Sequence, residues 1–195
     1  MIKFKILMLI SLICLISSCQ PSKKSIERNL KKCVNKVVND DIKAYYGKKP
    51  FDFYSFTLGY EKALLQNKFL KDTSKKAYKS LLNDIIDYNL NDLKKLSEIQ
   101  NSMINEFGFG LNQYKINEGV FSKCFYEVSY KTKDGVGKEI YDQGKIYNKI
   151  LINGFDNMKL IEEAFINIED ENFDNIIYKA PILLLVMINV KNHSK

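Results

Sequence analysis

The sequence has few of the residues on which several common functions depend. Its 195 residues include no tryptophan, one histidine, three prolines and nine glycines. The single histidine, His193, lies close to the C-terminus, where chains are poorly ordered unless tied down, so a Ser-His-Asp or Cys-His centre is not expected. No apolar run approaches the ~20 residues that a membrane-spanning helix needs. The sequence therefore predicts neither a catalytic centre based on histidine nor a transmembrane helix.

Arginine is almost absent as well. The chain has 30 Lys and Arg against 23 Asp and Glu, a net charge of +7, and Arg28 is its only arginine. Proteins that read bases and phosphates rely on the bidentate arginine fork. Scattered lysines without arginine predict that nucleic acid is not a partner.

What the chain does have is enough apolar material for a core. Hydrophobic residues make up 46% of it and aromatic residues 12%, which is ordinary for a globular protein. The length suits one domain. No Pro-, Gly- or Ser-rich linker and no internal repeat divides the chain, so one globular domain is predicted.

The N-terminus has the three parts of a secretory signal. Residues 1–5 are cationic, residues 6–16 are largely apolar, and small residues follow. The ending Ile16-Ser17-Ser18-Cys19 resembles the lipobox of bacterial lipoproteins. The resemblance implies that a signal peptide, residues 1–18, is removed and that Cys19 is acylated by palmitate-type chains. Residues 19–24 then form a short tether ahead of a domain at residues 25–195.

The same resemblance implies a location. An acylated Cys19 anchors the exported chain to a membrane of the cell envelope, since two or more fatty chains give stable anchoring. Gln20, where some lipoproteins carry aspartate, implies the outer membrane if the host is Gram-negative. The alternative is an ordinary secretory signal in which Cys19 is incidental.

Two cysteines remain for the folded domain. Cys14 leaves with the signal and Cys19 carries lipid, so Cys33 and Cys124 are left. Outside the cytoplasm such a pair most simply forms a disulfide. Two free buried thiols or a redox pair are the alternatives, although a redox pair usually has C-x-x-C spacing.

The first half of the domain has helical periodicity. Apolar residues recur every three or four positions over residues 25–46, and three further helices are predicted up to Gly108. Their N-caps are expected at Asp52, at residues 72–74 and at Asn91. Short polar connections indicate that the four helices form an antiparallel layer.

The period then changes to two. Residues 120–131 alternate in a pattern rich in tyrosine and valine, which predicts a strand, and Asp134-Gly135 predicts a turn. Residues 140–142 and 145–153 would return as strands, giving an antiparallel hairpin or three-stranded meander at about 120–153. A helix capped by Asp156 follows, and the apolar run 182–188 favours helix over strand. The predicted fold is therefore α+β and mainly helical, with all-α as the alternative.

Aromatic residues are dense just after the first helix. Most such residues belong to a core. Because Phe51, Phe53, Tyr54 and Phe56 cannot share one helix face, Phe51, Tyr54 and Phe56 are the candidate binding surface for a partner or a sugar ring.

No metal or cofactor is predicted. Residues 170–174 start like an EF-hand loop, but Asn175 and Pro181 stand where the turn glycine and the bidentate glutamate belong. No catalytic residue stands out among the 23 acidic residues.

The function that these patterns favour is non-enzymatic binding. We predict a lipid-anchored envelope protein with a protein partner, for instance an immunity-type protein that neutralises a toxin. The alternatives are a carboxylate-dependent hydrolase of cell-wall or other glycans and a carrier of a small ligand that the sequence does not identify.

Overall fold

The part of the chain that the structure describes is helical throughout. The computed structural model describes residues 21–46, 52–106 and 119–194. Within these ranges no strand occurs, and no helix is both long and apolar enough to span a bilayer. The helices are α1 (Lys23–Tyr46), α2 (Phe53–Gln66), α3 (Lys75–Ile86), α4 (Leu93–Glu106), α5 (Val120–Ser129), α6 (Lys138–Asn153), α7 (Met158–Ile166), α8 (Asp170–Phe173) and α9 (Ile176–His193).

Two of the predicted helix caps are confirmed. The Asp52 carboxylate accepts a hydrogen bond from the Tyr54 amide at the start of α2, and Ser74 Oγ accepts one from the Ala77 amide in α3. A further hydrogen bond joins this cap to α1, because the Asn35 side-chain amide donates to Asp52 Oδ1 at 3.0 Å. The prediction at Asn91 was slightly early, since α4 begins at Leu93.

Burial and hydrogen bonding act in opposite directions on the pKa of Asp52. Partial burial raises the pKa, but hydrogen bonds from Asn35, Ser55 and Tyr54 and the charge of Lys31 lower it, and the net direction is down. The ionised carboxylate also interacts favourably with the positive end of the helix dipole.

The predicted hairpin at about 120–153 is wrong, and with it the α+β fold class; the all-α alternative fits. These residues form α5 and α6, which pack antiparallel and are joined by a turn that includes the predicted Asp134-Gly135. The alternating pattern also contains Phe121 and Phe125 one helical turn apart, and both rings pack on Tyr147 of α6. Strand propensity of tyrosine and valine depends on context, and here helix packing decides.

The last helix, α9, is the centre of the core. Thirteen of its residues are buried, from Ile177 to Val190, and it contacts α2, α3 and α4. A helix surrounded by others has no polar face, which explains why the run 182–188 has no helical periodicity. The preference for helix there is confirmed. Helix α7 is capped by Asn157 rather than by the predicted Asp156.

Buried polar groups join α9 to its neighbours. Lys179 lies 2.9 Å from Glu61 of α2, and the Tyr78 hydroxyl of α3 donates to the same Glu61 oxygen. Farther along α9, the Gln100 amide of α4 donates to the Met187 carbonyl at 3.0 Å. These bonds fix how the helices around α9 are placed along its axis.

Gly144 lies at a close contact between α6 and α5, so a larger residue there should destabilise the protein. A Cβ at Gly144 would lie 3.0 Å from Phe125 Cβ and 3.1 Å from the Tyr126 amide nitrogen. We expect Gly144→Ala to lower the free energy of unfolding by about 1–3 kcal/mol, because overpacking outweighs the better helix propensity of alanine. Urea denaturation measures the change.

Gly59 of α2 supplies the matched control. A Cβ there meets only the flexible Met103 Cε, at 3.4 Å. Gly59→Ala should therefore stabilise the protein by roughly 0.5–1 kcal/mol. Equal stabilisation by both substitutions would contradict the close packing of α5 on α6.

Candidate functional site

Three tyrosines form an exposed cluster on α5, α6 and the turn between them. The Tyr126 ring lies 5.3 Å from Tyr130 and 5.4 Å from Tyr141, measured between centroids. Tyr126 and Tyr130 are 46% and 47% exposed. Lys133 Nζ lies 4.9 Å from the Tyr130 ring, and Lys145 Nζ lies 4.3 Å from the Tyr141 ring. We call these five residues the tyrosine–lysine surface.

Helical geometry places this surface away from the core. Cys124 and Phe125 are fully buried, and Tyr126 is rotated by about 200° from Cys124 around the axis of α5. Tyr130 follows one turn later, where α5 passes into the connecting turn. The two rings therefore lie side by side on the outer face.

A shallow groove continues the surface along the α5–α6 seam. It has a volume of about 350 Å³, and Gly144 and Lys145 of α6 line it opposite Tyr126 and Glu127 of α5. Ser122 Oγ donates to Asn148 Oδ1 at 3.3 Å across the seam. The groove thus combines an aromatic end at Tyr126 with a polar end, which suits recognition of an extended partner segment.

Lysines dominate the charge around the tyrosines. Asp142 accepts from Lys138 at 2.9 Å and from Lys145 at 3.3 Å. Burial raises the pKa of Asp142, but these two bonds and charges lower it below its usual range. Lys123 and Lys131 are exposed, and neither forms an ion pair within the described ranges. The surface therefore has an excess of positive charge.

A disulfide lies behind this surface. Cys33 of α1 and Cys124 of α5 are bonded, with their Cα atoms 5.7 Å apart and a sequence separation of 91. The bond braces the inner side of α5 against α1, while the tyrosines occupy the outer side. The pairing is the one expected from the sequence.

The aromatic surface expected from the sequence is placed differently. Tyr54 and Phe56 are 0% and 1% exposed, so they belong to the core and not to a binding surface. The reason is that α2 is enclosed by α1, α4 and α9, which cover more than one of its faces. Phe51 lies outside the described residues, as does the expected lipid attachment site, Cys19.

The tyrosine–lysine surface was not predicted from the sequence. Tyr126 and Tyr130 were assigned to alternating positions of a strand, on one of its two faces. Their spacing of four residues, with Tyr141 placed beside them by the Asp134-Gly135 turn, was the available signal. It predicts a shared surface only once the segment is taken as helix.

The other polar features have structural roles. His193 Nδ1 lies 2.8 Å from the Asn189 carbonyl oxygen, and its ring packs 4.9 Å from Tyr88. Residues 170–174 include the one-turn helix α8, where Asp170 pairs with Lys75 at 2.7 Å. Across the described ranges, no three His, Cys, Asp or Glu side chains are arranged to hold a metal ion.

Two carboxylates converge near the start of α1. Glu139 and Glu169 accept from the same Asn172 amide nitrogen, at 2.7 and 3.0 Å. Lys23 Nζ lies 3.6 Å from Glu139 and donates to Asn172 Oδ1 at 2.8 Å. The amide and the ammonium bridge the two carboxylates, so the group ties α1 to α6 and to the start of α8.

A cleft of about 500 Å³ lies nearby, lined by charged residues. Its lining includes the carboxylates of Asp72, Asp170 and Asp174 and the ammonium group of Lys75. Hydrogen bonds from the Ser74 side chain and amide hold the pKa of Asp72 below its usual value. A glycosidase acid needs a raised pKa, so Asp72 does not suit that role.

Comparison of the chain with protein-family models, curated proteins and solved structures found no match. Function must therefore be argued from the chemistry of the surface itself. The tyrosine–lysine surface is the described feature that is most typical of a binding site.

Proposed function

We propose that this chain is a lipid-anchored cell-envelope protein that binds a partner protein through its tyrosine–lysine surface. The motif Ile16-Ser17-Ser18-Cys19 supports the anchor, which belongs to the outer membrane if the host is Gram-negative. The observation that carries the binding role is the cluster of Tyr126, Tyr130 and Tyr141 on an outer face.

The composition of the surface favours a protein partner. Tyrosine is enriched among the residues that contribute most to protein–protein affinity, since its ring is large and rigid and its hydroxyl is polar. The Lys133 ammonium group, which lies over the Tyr130 ring, can pair with a carboxylate of a partner. In this proposal the protein binds its partner and does not change it chemically.

An immunity-type role is one version of this proposal. An anchored protein that neutralises a toxin needs a rigid, partner-complementary surface and no catalytic group. The disulfide behind α5 provides such rigidity, because it ties the binding helix to α1. Pre-organised surfaces lose less conformational entropy on binding.

Site-specific photo-crosslinking in the native host tests the proposal. A photoreactive residue replaces Glu127, which is exposed and lines the groove beside Tyr126. We expect one discrete protein adduct, which Tyr126→Ser or Tyr130→Ser in the same background reduces by about tenfold or more. Loss of the ring contacts at these half-exposed positions should lower the free energy of unfolding by no more than about 1–2 kcal/mol, so both variants should stay folded.

The matched control places the photoreactive residue at Lys94, an exposed position on α4. It should give no adduct of that mass. Equal adducts at both positions, or an adduct at Glu127 that is indifferent to both tyrosine substitutions, would show that the tyrosine–lysine surface is not the binding site.

The two alternatives have narrower support. A glycan hydrolase would have to use the cleft that contains Asp72, Asp170 and Asp174, and Asp170 is already paired with Lys75. A small-ligand carrier would need an apolar pocket, whereas this cleft is lined mostly by charged and polar side chains.

A further inference from the structure

The outward face of the first half of α1 is positively charged. Lys24, Arg28, Lys32 and Lys36 are all exposed and follow one another at intervals of four residues. Such spacing puts them on one side of a helix. We call these four residues the basic stripe. The opposite side of α1 is buried, at Ile26, Leu30 and Val34.

The charge of the stripe is not neutralised within the domain. None of its four residues forms an ion pair in the described part of the chain, whereas the neighbouring Lys31 lies 3.9 Å from Asp52. Glu27 is the only acidic residue between Lys23 and Lys36, and it accepts from the Tyr178 hydroxyl at 3.3 Å, away from the stripe. The stripe is therefore a local excess of positive charge that ends at Lys36, because the exposed Asp40 follows at the same spacing.

The stripe also begins close to the expected lipid. Four peptide units separate Cys19 from Lys23, and they span at most about 15 Å. Lys23 is held to the rest of the domain through Asn172 and Glu139. Fatty chains on Cys19 would therefore hold the start of α1 next to the lipid headgroups.

We infer that the basic stripe lies on an anionic phospholipid surface, so that α1 rests along the membrane. The inference depends on the lipid anchor of the proposed function and adds a second attachment to it. Positive charge next to an acyl anchor is attracted to acidic headgroups and strengthens attachment. From Lys24 to Lys36 the stripe extends about 18 Å along the helix, so engaging all four charges requires α1 to lie flat.

This orientation leaves the tyrosine–lysine surface accessible. The disulfide joins α1 to the inner side of α5 through Cys33, which packs against the core and is not one of the stripe residues. Tyr126 and Tyr130 lie on the outer side of α5. Membrane contact through α1 and partner contact through α5 and α6 therefore use separate faces.

Amine labelling on vesicles tests the inference. Acylated protein purified from its host is incorporated into vesicles of phosphatidylcholine, with or without about one third phosphatidylglycerol. A membrane-impermeant amine reagent is added, and mass spectrometry follows each lysine. We expect Lys24, Lys32 and Lys36 to react about threefold or more slowly on the anionic vesicles, with the protection lost at high salt. Lys62, Lys94 and Lys159, which are exposed on other helices, should react equally on both.

Flotation of the same samples separates the inference from the anchor. Protein that floats with both vesicles but shows equal labelling of the stripe overturns the membrane contact and leaves the anchor intact. Protein that floats with neither vesicle refutes the anchor, and the inference falls with it.

A charge-matched pair of variants gives a second measurement. One variant is K24Q/R28Q/K32Q/K36Q, and the other, K62Q/K71Q/K94Q/K159Q, loses the same charge at exposed positions elsewhere. Transfer from detergent micelles should be about threefold faster to anionic than to neutral vesicles for the control variant, and equally fast for the stripe variant. Equal behaviour of the two variants overturns the inference.

Discussion

Replacing both Cys33 and Cys124 by serine is expected to lower the free energy of unfolding by about 4–5 kcal/mol. The bond joins residues 91 apart in sequence, so it removes many conformations from the unfolded chain. This is a large part of the stability of a typical domain. The measurement is urea denaturation of the oxidised protein and of the C33S/C124S variant.

Reductant supplies the control for this prediction. Dithiothreitol should lower the unfolding midpoint of the unsubstituted protein towards that of C33S/C124S and should leave the variant unchanged. Cys124 is fully buried in the oxidised protein, so reduction should require prolonged exposure or partial unfolding. A midpoint that is the same with and without the two cysteines contradicts the bond between α1 and α5.

Replacing Lys179 by methionine is expected to cost about 3–5 kcal/mol, because it leaves a buried carboxylate without its cation. Lys179 and Glu61 have side-chain exposures of only 6% and 9%, and their charged atoms lie 2.9 Å apart. The Tyr78 hydroxyl still donates to Glu61, but one neutral donor does not compensate for a lost positive charge. Thermal and urea unfolding of Lys179→Met measure the loss.

The control removes the whole polar group. The triple variant E61L/Y78F/K179M removes the carboxylate, the hydroxyl and the ammonium of this cluster together, so most of the lost stability should return. If Lys179→Met alone and the triple variant were equally destabilised, packing volume rather than the unpaired charge would be the cause.

Local signals in the sequence predicted the first part of the fold. The apolar periodicity of α1 and the caps at Asp52 and Ser74 depend on residues within one or two helical turns of each other. The cysteine pairing followed from counting thiols, and the structure places Cys33 on the side of α1 that meets α5. Such features need no knowledge of distant contacts.

Features decided by distant contacts could not be predicted in this way. Residues 120–153 have patterns compatible with strand and with helix, and the packing of Phe121 and Phe125 on Tyr147 decides for helix. The candidate site depended on that choice, because Tyr126 and Tyr130 share a face with Tyr141 only when both segments are helical. The prediction that Tyr54 and Phe56 form a binding surface was wrong for the same reason, since their burial depends on which helices surround α2.

The proposed arrangement assigns a separate role to each side of the α1–α5 unit. The basic stripe on α1 faces lipid, the disulfide holds the two helices together, and the tyrosine–lysine surface on α5 and α6 faces a partner. Each role depends on export of the chain and on a lipid at its N-terminus. The anchor is therefore the central claim.

The intact mass of the protein purified from its native membrane tests this claim most directly. We expect a chain that begins at Cys19, with the added mass of fatty chains on that residue and with Cys33 and Cys124 oxidised. An intact chain that begins at Met1 and carries an unmodified thiol at Cys19 would contradict it.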